Sequence, residues 1–367
     1  MVPVKRRRFL QTLAVASIGP WLSACAGEDR QAGEPFEEED ETQSLAQAAA
    51  ASGRGFGAAV NAGTLRTRSH GYRAVLGQCS SVTPEWSLKW DRLCPRPGRY
   101  DFHEADRIAD FARGQGKRMR GHTLLWHLGM PRWADALLAD TREWGHVRSY
   151  FHTVMPRYAD VVDEWDVVNE PIEPNHGGNG LRQNQFYKAF GEAYIERALE
   201  AAKARAPRAR MVINEYGLEY NSGYEGQRRL SLLRLLERLR SRGAPVDTVG
   251  LQAHLDLRKG NVYADGISGM MRDIRGMGLK VAITELDVAE ANTGLSIERR
   301  DALVADETRR YLDIVLQFNN VLGVSTWGLS DSHSWLRTQR SASNRGLPYD
   351  REWQAKPMHS AILTAFA

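Results

Sequence analysis

Val161-Val162-Asp163-Glu164-Trp165-Asp166-Val167-Val168-Asn169-Glu170-Pro171 is the stretch that decides the fold. Its β-branched and aromatic run lacks the strict alternation of a half-exposed strand, as expected of a parallel strand covered on both faces. It then stops on two polar residues and a proline. The same punctuated pattern recurs outward along the chain at 55–60, 79–83, 118–125, 210–214, 249–255, 280–286 and 321–327. Helical patterns lie between. Residues 223–242 place leucines at 230, 232, 233, 235, 236 and 239, with Gly243 just past the end as a C-cap. Residues 182–206 read as one further helix that stops before Pro207. Eight strands alternating with helices predict the α/β class, as a parallel (β/α)8 TIM barrel forming a single domain over 51–367. An open doubly wound sheet is the other candidate. It would carry a glycine-rich phosphate loop after its first strand, whereas the glycines at 53–57 precede or open a strand.

The chain has 367 residues, 42% of them hydrophobic and 26% charged, a globular composition. Its formal charge of +4 resides in Lys5, Arg6, Arg7 and Arg8. The remainder is neutral, which removes the electrostatic reason to expect nucleic acid as a partner. Arg6-Arg7-Arg8-Phe9-Leu10 matches the twin-arginine export pattern, and the apolar stretch after it is too short to span a bilayer. Leu22-Ser23-Ala24-Cys25 reads as a lipobox, so 1–24 is expected to be a lipoprotein signal and Cys25 the lipidated N-terminus of a periplasmic or cell-surface protein. An incidental cysteine after an ordinary signal is the plainer alternative. Residues 25–50, acidic and poor in large apolar side chains, are expected to be a flexible linker, with a helical pattern starting near Ser44. Cys79 and Cys94 either close a short disulfide loop, worth about 3 kcal/mol, or remain buried thiols. Neither spacing nor neighbours suggest a metal site. No cofactor is expected, and nothing signals dimerisation, so a monomer is.

In a barrel the polar residues at the C-terminal strand ends are the catalytic candidates. Here the third strand leads to His122 and Trp126-His127, the fourth to Asn169-Glu170, and the sixth to Gln252 and His254. The seventh carries Glu285 and Asp287, and the eighth ends at Trp327. Two carboxylates, Glu170 and Glu285, thus face each other across one mouth. That pair suits glycosidic-bond cleavage, in which one carboxylic acid protonates the departing oxygen while another carboxylate attacks the oxocarbenium-like carbon. Glu285 and Asp287, two apart on a strand, share a face, and His254 next door is placed to keep Glu285 ionised. Asn169 is placed to reach a sugar hydroxyl. The bland alternative is an ion-pair network capping the barrel.

Ordered motifs extend this reading: FGAAV at 56, VTPE and LKWD between 82 and 91, PRPGRYDF at 95, ADRI at 105 and RGHTLLWH at 120. WDVVNEPI at 165, GLQAHL at 250, ITELDV at 283, WGLSDSHSW at 327 and LPYD followed by WQAKP at 347–357 complete the series. In this order the chain resembles glycoside hydrolase family 10, the endo-β-1,4-xylanases. The resemblance implies a retaining double displacement on xylan or xylo-oligosaccharides, with Glu170 as acid/base and Glu285 as nucleophile held by His254 and Asp287. It implies that Asn169 contacts the sugar 2-hydroxyl, and that Glu85, Lys89, His122, Trp126, Tyr216 and Gln252 line the substrate cleft with Trp327 and Trp335 as aromatic walls. Trp90, Trp165 and Trp353 are expected in the core.

Three positions depart from the family pattern. Trp86 follows Thr83-Pro84-Glu85 where the family has asparagine, Leu128-Gly129 replaces Ser-Gln, and Asn214-Glu215-Tyr216-Gly217 replaces Asn-Asp-Tyr-Asn. The first two alter the side of the cleft that holds the sugar two places from the scissile bond. Two other readings therefore stand beside a xylanase: the same chemistry on another β-linked glycan, such as a bacterial exopolysaccharide, or a non-catalytic glycan-binding lipoprotein.

Overall fold

The computed structural model describes residues 43–66, 70–290 and 294–367. The export signal, Cys25 and most of the linker lie outside the described residues. Nine strand segments form the sheet: β1 (Gly55–Val60), β2 (Ser81–Pro84), β3 (Arg118–Gly121), β4 (Val162–Asn169), β5 (Arg210–Glu215), β6 (Thr248–Leu251), β7 (His254–Asp256), β8 (Lys280–Ala289) and β9 (Val321–Thr326). Neighbours pair in parallel in chain order from β1 to β6 and from β8 back through β9 to β1. The pairing of β6 with β8 closes the ring, so the architecture is an eight-stranded (β/α)8 barrel.

The sixth barrel strand is broken, where one strand over 249–255 was expected. Ala253 adopts a left-handed φ of 59°, β6 ends at Leu251, and β7 pairs with β8 alone, aligning His254 with Asp287. The third strand stops at Gly121 and not at Leu125. A side chain at 121 would meet the Trp165 indole at 2.2 Å, so only glycine lets the buried ring close that side of the barrel. Further along, Leu125 keeps a single parallel bridge to Val168. The eighth barrel strand, β9, ends at Thr326, one residue before Trp327.

The leucine-rich helix spans Gly223–Ser241 behind an N-cap at Ser222, with Leu232, Leu235, Leu236 and Leu239 buried and Gly243 at φ 75° beyond its end. Residues 182–206 are not one helix. Gly191, at φ 65°, separates Gln185–Phe190 from Ala193–Arg205, and Asn184 caps the first by accepting from the Tyr187 amide. Trp90 and Trp165 are buried as expected, while Trp353 is half-buried, packed against Tyr72 and His333. Cys79 and Cys94 are both buried free thiols, and burial pushes the Cys79 thiol up to about 12.

The linker ends earlier than residue 50. Ser44 and Gln47 form a reciprocal capping box that starts the Leu45–Ala51 helix. Leu45, Ala48 and Ala49 are buried, and the Leu45 and Ala46 amides donate to Gln78. The acidic residues stop at Glu41, and the small helix formers after them supply an apolar face that docks beside β1 and the C-terminal helix Pro357–Ala365. Leu45→Ala should therefore destabilise the domain by about 3 kcal/mol, the cost of a fully buried leucine. Urea unfolding checks this, and an unchanged midpoint would show the helix to be peripheral.

Candidate active site

Glu285 sits on β8, 4% exposed. Its Oε2 faces His254 Nε2 at 3.2 Å, and His254 Nδ1 faces Asp287 Oδ1 at 2.8 Å. Both ring nitrogens face carboxylate oxygens, so only the imidazolium can donate to both. Burial opposes that charge, but Asp287 and Glu285 outweigh it and hold His254 well above the usual histidine range. Trp335 Nε1 donates to the other Asp287 oxygen at 2.6 Å, completing the series. On Glu285 itself, burial disfavours ionisation. The His254 hydrogen bond and the positive fields of His122 and Lys89 overcome it and hold the carboxyl at about 2.

Glu170 follows β4 with a left-handed φ of 58°, half-buried at the mouth. Its Oε1 lies 3.3 Å from both Asn169 Nδ2 and Gln252 Nε2. The two carboxylates are joined through Asn214 on β5. The Asn214 amide donates to Glu285 Oε1 at 2.7 Å and to Asn169 Oδ1 at 2.8 Å, while its own oxygen accepts from Thr284 at 2.7 Å. Gly250 makes room for it: a Cβ there would lie 2.2 Å from Asn214 Oδ1. The structure thus gathers Asn169, Glu170, Gln252, His254, Glu285 and Asp287 into one hydrogen-bonded set.

His122 is buried beside them, with Nδ1 2.8 Å from Asp166 Oδ2 and 3.9 Å from Glu285 Oε1. Asp166 also accepts from Arg120 at 2.6 Å. Trp327 stands edge-on to both His122 and His254, at 5.2 and 6.3 Å between ring centroids. Lys89 is buried with its ammonium between two indoles, 4.0 Å from the Trp86 centroid and 4.2 Å from that of Trp126. Burial lowers Lys89 to about 8 against the pull of Glu285, Glu85 and Glu170. Burial likewise raises the Glu85 carboxyl, offset in part by Lys89 and by hydrogen bonds to Trp86 and Asn61. Tyr216 is set slightly apart: its hydroxyl accepts from Arg182 at 3.0 Å and its ring lies under the Arg228 guanidinium.

Among the described residues one group could hold a cation: ligand atoms of His122, Asp166 and Glu285 lie within 4.8 Å of one another. Arg120 already supplies positive charge to Asp166, the His254 imidazolium supplies it to Glu285, and His122 is hydrogen-bonded to Asp166. Of the departures from the family pattern, Trp86 is 43% exposed and Leu128 is 66% exposed. A Cβ at Gly129 would approach Trp126 at 3.1 Å and the Lys89 stem at 3.3 Å, so a glutamine there would push against the indole–lysine stack.

Sequence reasoning passed over Asn214, Thr284, Asp166, Arg120 and Arg182. The first four are polar residues on buried strands, and reading every strand end for amides as well as acids would have found Asn214. Arg182 lies in a loop and carries no local signal.

A closed (β/α)8 barrel with paired carboxylates and indole side chains around them at its C-terminal mouth defines a glycoside hydrolase. The glycosyl hydrolase family 10 model matches residues 44–365, and the chain belongs to that family. It is 31% identical to endo-1,4-beta-xylanase A of Phanerodontia chrysosporium over 318 residues, 85% of this chain and 74% of that one. It is 33% identical to endo-1,4-beta-xylanase 3 of Hypocrea jecorina strain QM6a over 313 residues, 84% of this chain and 81% of that one. Among solved structures, xylanase 10B from Thermotoga maritima superposes with a TM-score of 0.78 at 28% identity, covering 88% of this chain and 98% of that one. Xylanase 10B from Thermotoga petrophila RKU-1, in complex with xylobiose, also superposes at 0.78 and 28% identity, covering 88% of this chain and 97% of that one.

Because His254 lowers Glu285, its removal has a definite sign. In His254→Gln the carboxyl keeps its burial penalty and loses the imidazolium, so it binds a proton at higher pH. The acid limb of the kcat/KM profile should move up by about 1–2 pH units. A profile superimposable on wild type would show that His254 does not set the charge of Glu285.

Proposed function

We propose that this protein is a retaining endo-β-1,4-xylanase that hydrolyses xylan or xylo-oligosaccharides by double displacement. The observation that carries the reading is the Asn169–Asn214 bridge between Glu170 and an ionised Glu285. In the first step Glu285 attacks the anomeric carbon as the glycosidic C–O bond breaks, and Glu170 gives its proton to the leaving oxygen. In the second, water attacks the same carbon, Glu170 takes the water proton, and the bond to Glu285 breaks. Asn169 is the donor for the 2-hydroxyl, with its carbonyl fixed by Asn214. Trp327, Trp335 and Trp126 offer indole faces to the apolar C–H faces of pyranose rings. Glu85, Lys89, His122, Gln252 and Tyr216 supply the polar groups of the same cleft. The motifs at 6–10 and 22–25 support an exported lipoprotein, acylated at Cys25. The non-catalytic reading gains no support, since a binding module has no use for a buried carboxylate held ionised opposite a second acid.

Glu285→Ala should abolish turnover on every substrate. Glu170→Ala should lower kcat/KM about 100-fold or more on xylo-oligosaccharides and far less on dinitrophenyl β-xylobioside, whose leaving group needs no proton. Proton NMR of the first product should show the β-anomer; an initial α-anomer would exclude retention.

Trp86→Asn should free one face of the Lys89 ammonium and restore an amide for a sugar hydroxyl, a bond worth ~1 kcal/mol. Initial rates on xylohexaose should then give a kcat/KM about fivefold above wild type. No gain would mean that the indole already serves the glycone as well as an amide does.

A further inference from the structure

Glu170 occupies a conformation that non-glycine residues avoid, at a cost of about 1–3 kcal/mol, so something must hold it there. On one side its amide donates to the Asn214 carbonyl at 2.8 Å. On the other, three consecutive carbonyls all accept from a single residue twelve positions ahead. Arg182 Nε donates to Glu170 O at 2.9 Å, the Arg182 amide to Pro171 O at 2.6 Å, and Arg182 Nη2 to Ile172 O at 3.1 Å. The same guanidinium donates to Tyr216 Oη at 3.0 Å and has Glu173 3.6 Å from Nη1. Among the described residues no other donor reaches the Glu170 carbonyl. Ile172 has independent support: Arg228 donates to its carbonyl at 3.0 Å, its amide donates to Glu215 at 2.8 Å, and it bridges Leu181.

We infer that Arg182 is a positioning residue for the acid/base carboxyl. It pins the left-handed turn at Glu170 and so fixes the direction in which the carboxyl leaves the strand. This rests on the reading of Glu170 as the acid. The planar fork meets acceptors on two sides at once, which a single-point ammonium cannot do. The loop that carries Arg182 remains closed through Arg228, Glu215 and the Ile172–Leu181 bridge, so loss of the guanidinium should loosen Glu170 without releasing the loop.

The test compares kcat/KM on dinitrophenyl β-xylobioside with that on xylohexaose, for wild type, Arg182→Met, Arg182→Lys and Glu170→Ala. A displaced acid penalises only the substrate that needs a proton, whereas general damage to the cleft penalises both. Arg182→Met should lose about 10–100-fold on xylohexaose and less than about threefold on the activated glycoside, part of the full contribution of a general acid. Arg182→Lys, which keeps the charge but not the fork, should show the same selectivity at smaller size, and it carries the test if the methionine variant does not fold. Equal losses on both substrates, or none on either, in the folded variants would overturn the inference. If Glu170→Ala is selective and the Arg182 variants are not, the positioning role alone falls. If Glu170→Ala loses both equally, the acid assignment falls and the inference with it.

Discussion

The structure depends on keeping one carboxylate ionised almost entirely out of water. An isolated buried carboxylate would take up a proton, and Glu285 is spared by what surrounds it. His254 contributes an imidazolium that is itself stable only between two acids. His122 and Lys89 add positive field without donating to it, and Asn214 supplies a neutral donor. Much of the backbone irregularity nearby serves this arrangement. The break at Ala253 brings His254 into register with Asp287, and Gly250 leaves the volume that the Asn214 amide fills.

The compensation extends below the mouth. Arg210 pairs with Glu164, Glu164 with Arg120, and Arg120 with Asp166, so charges alternate along the barrel interior up to Asp166, which is hydrogen-bonded to His122 at the side of Glu285. Breaking a buried pair leaves an uncompensated charge at a cost of several kcal/mol, which makes the series cooperative. Few alternatives satisfy every partner, and the mouth inherits that rigidity. A site that must hold two carboxylates in fixed opposition gains from being built on strands and from having its polar groups satisfied below as well as above.

Legibility in the sequence followed the range of the physics involved. The strands that line the barrel were readable because burial on both faces enriches them in β-branched and other apolar residues without strict alternation, as in Val162–Asn169 and Lys280–Ala289. Glu170 was readable because it follows such a run directly, and Glu285, Asp287 and His254 because they are polar residues set in or beside one. The break in the sixth strand was not, since nothing in Leu251-Gln252-Ala253-His254 marks an alanine for a left-handed φ. The division at Gly191 was available as a glycine inside a helical pattern and was outweighed by the periodicity around it. Arg182 could not be found locally, because the carbonyls it holds lie ten or more residues away, and any sequence has backbone carbonyls. The start of the domain near Ser44 was visible as a change from acidic residues to small helix formers, but its docking beside β1 is a tertiary fact.

Cys79 and Cys94 remain separate thiols, each enclosed by the core. The stability of this domain therefore owes nothing to oxidation. Among the described residues no disulfide has to form before the barrel is complete. A polypeptide with that property can complete its barrel on either side of a membrane, so the place where it folds and the place where it works need not coincide.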